Sequence, residues 1–226
     1  MATHLDLEEQ EQIDRIKHFW RRWGNLITWT LVAVLAAYSG WQGWQWWQRD
    51  QAAKAGAMFD ELDRAASTND VERTARVFAD LRERFPKTAF AQQGGLLAAR
   101  VQHDGGKLDD AAQSLRWVSD NARDEPYRVV ARLRLSALLI QQQKAEEALK
   151  LLDGVPAAGF DPLLDDRRGD VLAVLGRQDE ATAAWRKAHA AMDPKVEYRR
   201  LIEAKLTAAG AAPAPDSAAS APGGAK

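Results

Sequence analysis

The side chains in this sequence that could do chemistry are few and scattered. Histidine comes first, because it titrates near neutral pH and binds metals. The four histidines are His4, His18, His103 and His189, and none has a carboxylate or second histidine at metal-ligand spacing. There is no cysteine, which excludes a disulfide scaffold, a thiol nucleophile and a cysteine-bound zinc. No G-x-S-x-G, glycine-rich phosphate loop or H-E-x-x-H occurs. His103 and Asp104 read as a loop pair, with Asp104 capping a helix end. The run "DDRRGD", Asp165 to Asp170, is the densest charge cluster of the folded part. It could bind a partner's charges, but a solvated helix face with internal pairs is the simpler expectation. These residues predict a protein that is not an enzyme and uses no cofactor, metal or small-molecule substrate.

Binding chemistry is better represented. The 31 Lys and Arg nearly cancel the 32 Asp and Glu, so no basic footprint for nucleic acid exists. Four of the nine tryptophans crowd into "SGWQGWQWWQRDQ": Trp41, Trp44, Trp46 and Trp47. At helical spacing these rings surround the axis rather than forming one stripe. Trp20 and Trp23 stand at the far end of an apolar stretch. Indole is apolar with one N–H donor, which suits headgroup depth. The six tryptophans are therefore expected to mark two membrane interfaces.

The element that would hold them is a single transmembrane helix over residues 23–48. No charged residue occurs there, and Arg22 and Arg49 close its ends. Trp23 to Trp44 would rise ~31 Å as a helix, against a hydrocarbon core of about 30 Å. A cleaved signal peptide would be shorter and end in small residues. Arg15, Lys17, Arg21 and Arg22 before the stretch slightly outweigh Arg49, Lys54 and Arg64 after it. That bias predicts a cytoplasmic N-tail, residues 1–22, and an exported C-terminal domain. Ala36 with Gly40 and Ser39 with Gly43 could pack against another helix, or face lipid.

Residues 49–209 carry apolar residues at helical spacing and no strict alternation. Predicted helices are 50–67, 70–85, 88–103, 107–121, 125–142, 144–153, 161–175, 178–191 and 195–209. Ala111, Ala148 and Ala181 stand at one repeated place, each with a large apolar residue four later: Leu115, Leu152 and Trp185. Thr74 with Phe78 fits the same frame. Small residues let two helices approach, and the bulky one fills the space beside them. Gly169 takes the small position of the last repeat's first helix. This pattern resembles the tetratricopeptide repeat, a helical hairpin of about 34 residues; a plain helical bundle is the competing architecture. The fold class is thus all-α, a membrane helix followed by a tetratricopeptide-like solenoid with a C-terminal capping helix. Residues 210–226, "GAAPAPDSAASAPGGAK", read as a disordered tail.

A solenoid offers a curved surface for peptides or proteins. By repeat register its groove candidates are Gln102, His103, Ala137, Gln141, Asp166 and Asp170. Four stretches carry a closer resemblance: "DRIKHFWRRWGNLI", "GWQGWQWWQRDQAAKA", "LRLSALLIQQQKAEEALKLLDGV" and "DRRGDVLAVLGRQDEATAAWRKA". In order and spacing they resemble the YfgM family of ancillary SecYEG translocon subunits. That resemblance implies a single-pass inner-membrane protein with a periplasmic domain. It implies association with the SecYEG translocon and a PpiD-like membrane-anchored chaperone. It implies transfer of exported client proteins toward periplasmic chaperones, beside contact with the lipid bilayer. The alternative function is a tetratricopeptide scaffold for another envelope assembly, such as division or outer-membrane machinery.

Overall fold

The structure, a computed structural model, describes residues 7–154 and 159–212. His4, the start of the N-tail and the expected disordered tail from residue 213 onward lie outside the described residues. Those described form nine α-helices and no strand: α1 Leu7–Ser67, α2 Val71–Arg84, α3 Ala89–Asp104, α4 Leu108–Asn121, α5 Glu125–Gln141, α6 Ala145–Leu152, α7 Asp161–Val174, α8 Gln178–Ala191 and α9 Tyr198–Ala208. The chain divides into two units, one ending at Ala53 and one beginning at Lys54.

In the first unit, the large apolar side chains of α1 are exposed on every side from Phe19 to Trp47. Thr28 and Thr30 turn their hydroxyls back onto the carbonyls of Gly24 and Leu26, each at 2.8 Å. Among the described residues, no helix is long and apolar enough to cross a membrane. This corrects the expected span over 23–48. The helix forms there, but Asn25, Thr28, Thr30, Ser39, Gln42, Gln45 and Gln48 dilute its apolar residues. Trp44 and Trp47, one turn apart on α1, pair with ring centroids 5.2 Å apart.

In the second unit, successive helices pack on one another, and α3, α5 and α7 also touch in that order. Five helix ends repeat one turn. A residue in left-handed backbone stands at Asn69, Gly106, Gln143, Gly176 and Gly210, spaced 37, 37, 33 and 34 positions apart. The next residue's N–H closes onto the carbonyl five positions earlier, at Ala65, Gln102, Leu139, Leu172 and Leu206. This is the bond that ends a helix on a left-handed residue. Glycine adopts that conformation freely; Asn69 and Gln143 do so at some cost. The fifth turn shows that α9 is the first helix of a fifth repeat, in register with α3, α5 and α7. It begins at Tyr198 rather than Lys195, because "MDPK" holds a turn.

The repeat residues do what their sizes predict. Ala111, Ala148 and Ala181 are fully buried, and Phe78, Leu115, Leu152 and Trp185 are buried beside them. Three apolar clusters follow along the stack. One gathers Leu62, Phe78 and Leu81, one Leu115, Leu135 and Leu152, and one Leu172, Trp185, Ile202 and Leu206. Trp117 meets Phe78 edge-on, with centroids 5.5 Å apart.

Thr74 departs from the alanines at its register. It is fully buried, and its hydroxyl has no hydrogen-bond partner. An unmet buried hydroxyl is destabilising. Thr74→Val keeps the volume and removes that group. It is expected to raise stability by about 1 kcal/mol, read from the urea midpoint at unchanged slope.

Candidate functional site

The repeat register places the groove candidates on the first helices of successive repeats, but packing divides them. Gln102 is buried against α4, where its side-chain amide and Ser114 Oγ hydrogen-bond at 2.7 Å. His103 is not in a loop; it occupies the last turn of α3, beside Asp104. Its Nε2 lies 3.3 Å from Gln141 Oε1 and links α3 to α5, while Nδ1 lies 3.3 Å from Asp104. Ala137 is half-buried and Gln141 exposed. His103, Ala137 and Gln141 thus form one accessible strip across α3 and α5.

Asp166 and Asp170 go elsewhere. Both lie on α7, one turn apart, and face Lys205 of α9. Lys205 Nζ lies 2.8 and 2.9 Å from the two oxygens of Asp166 and 2.6 Å from Asp170 Oδ1. The Tyr198 hydroxyl donates to Asp166 at 2.8 Å. Asp166 is only 1% exposed. Burial, then the hydrogen bond to Asp166, raises the Tyr198 hydroxyl well above the usual tyrosine range. Asp165 is buried too and binds Arg168 at 3.0 Å and Lys187 at 3.0 Å. The "DDRRGD" run therefore has the internal pairs expected of it, but it is an interior network rather than a solvated face. It fastens α7 to α8 and to α9.

Gly169 sits in the middle of this network. A methyl group there would lie 2.4 Å from the indole of Trp185. The missing side chain is what lets the ring lie on the α7 backbone, where its N–H donates to Asp170 at 3.2 Å. His189 of α8 closes the far side, 3.0 Å from Glu203 of α9.

Lys205 and Tyr198 were not singled out from the sequence. A signal was present: Ile202, Lys205 and Leu206 share one helical face, so Lys205 interrupts an apolar stripe. Among the described residues, no cluster of His, Asp and Glu has the makings of a metal site. The chemistry on offer is polar contact along α3 and α5 and apolar contact along α1.

Comparison with known proteins follows this architecture. A tetratricopeptide repeat-like domain model matches residues 17–211. A Neisseria gonorrhoeae protein named ancillary SecYEG translocon subunit is 30% identical over 207 residues, covering 91% of this chain and 98% of its own. An Escherichia coli protein of the same name is 26% identical over 78% of this chain and 85% of its own. One from Haemophilus influenzae is 25% identical over 80% of this chain and 89% of its own.

Proposed function

The chain belongs to the tetratricopeptide repeat-like family and to the group of ancillary SecYEG translocon subunits, and from that premise we propose that it is itself a subunit associated with the SecYEG translocon. The observation that carries this reading is near end-to-end similarity to proteins so named, the first of them matched over 98% of its length. The two units suit different parts of the task. The stretch of α1 exposed on all sides cannot remain in water without cost, since large apolar patches mark partner or membrane contact. It seats against lipid or the apolar flank of a translocon component. Thr28 and Thr30 turn their hydroxyls back onto their own helix, so neither of these two is left unmet there.

The solenoid takes the polar partners. The strip His103, Ala137 and Gln141 meets a membrane-anchored chaperone or an emerging client on the exported side of the inner membrane, and passes the client toward periplasmic chaperones. Multiple weak polar contacts suit transfer, because a carrier must also release.

Photocrosslinking probes at Trp46 and at Gln141, used one at a time in intact membranes, test both halves. Trp46 is expected to capture a translocon subunit, and Gln141 a chaperone or an exported chain. Protease protection of the solenoid in right-side-out vesicles checks the compartment. If neither probe captures translocon, chaperone or client, the proposal fails.

A further inference from the structure

Residues 13–23 of α1 sort two kinds of side chain onto two faces. Arg15, Lys17, His18, Arg21 and Arg22 fall within about 160° of the helix circumference, and Ile13, Phe19, Trp20 and Trp23 fill about 120° of the opposite side. All of them are exposed. From Leu26 to Trp47 the exposed apolar side chains surround the helix instead. The Trp20 ring lies over the backbone at Gly24, where an added methyl group would stand 3.1 Å from its Nε1.

The charge of this part of α1 is one-sided. Between Asp14 and Asp50 there is no acid, but Arg15, Lys17, Arg21, Arg22 and Arg49 all stand there, in a chain whose formal net charge is −1. Arg21 is seven positions from Asp14, beyond the i,i+4 reach of a helical ion pair. Among the described residues, neither Arg21 nor Arg22 has an ion-pair partner. The other end of the stretch differs: Arg49 is followed by Asp50 and bonds Gln45 Oε1 at 3.3 Å. The cationic rim of the apolar stretch therefore lies at its N-terminal end.

We propose that residues 13–23 dock on anionic phospholipid headgroups, with Arg21 and Arg22 on the phosphates and Phe19, Trp20 and Trp23 at the acyl boundary. The proposal rests on the reading that α1 seats against lipid, and it names the kind of lipid. A helix with cations on one face and Trp or Phe on the other lies in a membrane interface, and anionic headgroups strengthen its binding. A guanidinium group matches two phosphate oxygens at once. The occupant must offer an apolar interior beside a negative rim, because the rings run directly into the apolar stretch that begins at Leu26. A bilayer surface carrying anionic lipid offers both, whereas an acidic protein segment offers only the rim.

Flotation of the full chain, diluted from detergent into lipid vesicles, tests this. One set of vesicles is phosphatidylcholine alone; in the other, phosphatidylglycerol replaces part of it. The chain is expected to partition at least about tenfold more tightly onto the anionic set, since each Lys or Arg close to a negative membrane surface adds to binding. The preference should shrink in ~1 M salt, which screens it. Arg21→Gln with Arg22→Gln should remove most of the preference and leave binding to the neutral set unchanged. Lys107→Gln with Lys195→Gln, which removes the same charge from exposed positions of the solenoid, should keep it. Circular dichroism confirms that both variants are helical. Equal partition onto the two sets overturns the proposal and leaves α1 seated against lipid. An arginine variant that keeps the preference, or a lysine variant that loses as much, overturns it too. Failure to partition onto either set overturns the lipid reading along with it.

Discussion

Lys205→Met is expected to cost about 3–5 kcal/mol at the C-terminal end of the stack. The lysine lies between two carboxylates one turn apart on α7, bonded to Asp166 at 2.8 and 2.9 Å and to Asp170 at 2.6 Å. Its side chain is 21% exposed, and that of Asp166 is 1% exposed. Methionine fills the same space but leaves two like charges facing each other, one of them cut off from water. Breaking a buried pair from one side is costly for that reason, whereas replacing both partners by apolar groups is often neutral. Lys205→Met combined with Asp166→Leu should therefore recover most of the loss. In a stacked repeat each unit leans mainly on its neighbour, so the damage should be local. Amide hydrogen exchange in α9 should rise by orders of magnitude while that of α3 to α5 stays protected. If α9 exchanges as slowly in the single variant as in the parent, the ion network does not hold it.

Gly169→Ala is expected to destabilise the last repeat by about 1–3 kcal/mol, the usual cost of overpacking. The sign is informative, because in an open helix the same change would gain about 1 kcal/mol. Here the new methyl group would lie 2.4 Å from two atoms of the Trp185 indole. The ring cannot swing aside freely, since its N–H is bonded to Asp170 and it is 93% buried by its 7% exposure. Trp185→Leu alone should also destabilise, by leaving a cavity. Together the two changes should cost at least about 1 kcal/mol less than their sum, since residues in contact are coupled. Urea titration of the four proteins of this cycle measures it. Strict additivity would mean that the glycine is not there for the ring.

The accuracy of the boundaries of α2 to α9 has a simple origin, whereas the expected helix 50–67 is the end of one continuous helix, Leu7–Ser67. Each hairpin is short, most of its breakers are glycine, proline or an Asn/Asp cap, with the Gln142–Lys144 turn the exception, and its apolar residues recur at helical spacing. Asp70 and Thr88 cap α2 and α3 by accepting from Arg73 N and Ala91 N, a local interaction that sequence carries openly. The alanine frame at 111, 148 and 181 likewise announced the close approach of helices. The expected membrane span was harder, because a long uncharged run with tryptophans at its ends is legible, yet among the described residues no helix is long and apolar enough to cross a membrane.

The sequence by itself determined an all-helical repeat, its periodicity, the small residues at helix crossings, the concentration of tryptophan in α1 and the family resemblance. These are properties of spacing, and spacing survives without coordinates. Only the tertiary structure decided which polar residues face inward. Asp166 and Asp170 became the fastening of α9, and Gln102 became a buried partner of Ser114, although all three lie on first helices of repeats as His103, Ala137 and Gln141 do. Register fixes which helix and which turn a residue occupies. Whether its side chain meets water, a lysine 39 positions away or a serine across a helix pair depends on how the next helix packs. The left-handed residues show the same limit: the glycines could be expected at such turns, but Asn69 and Gln143 were revealed only by the backbone.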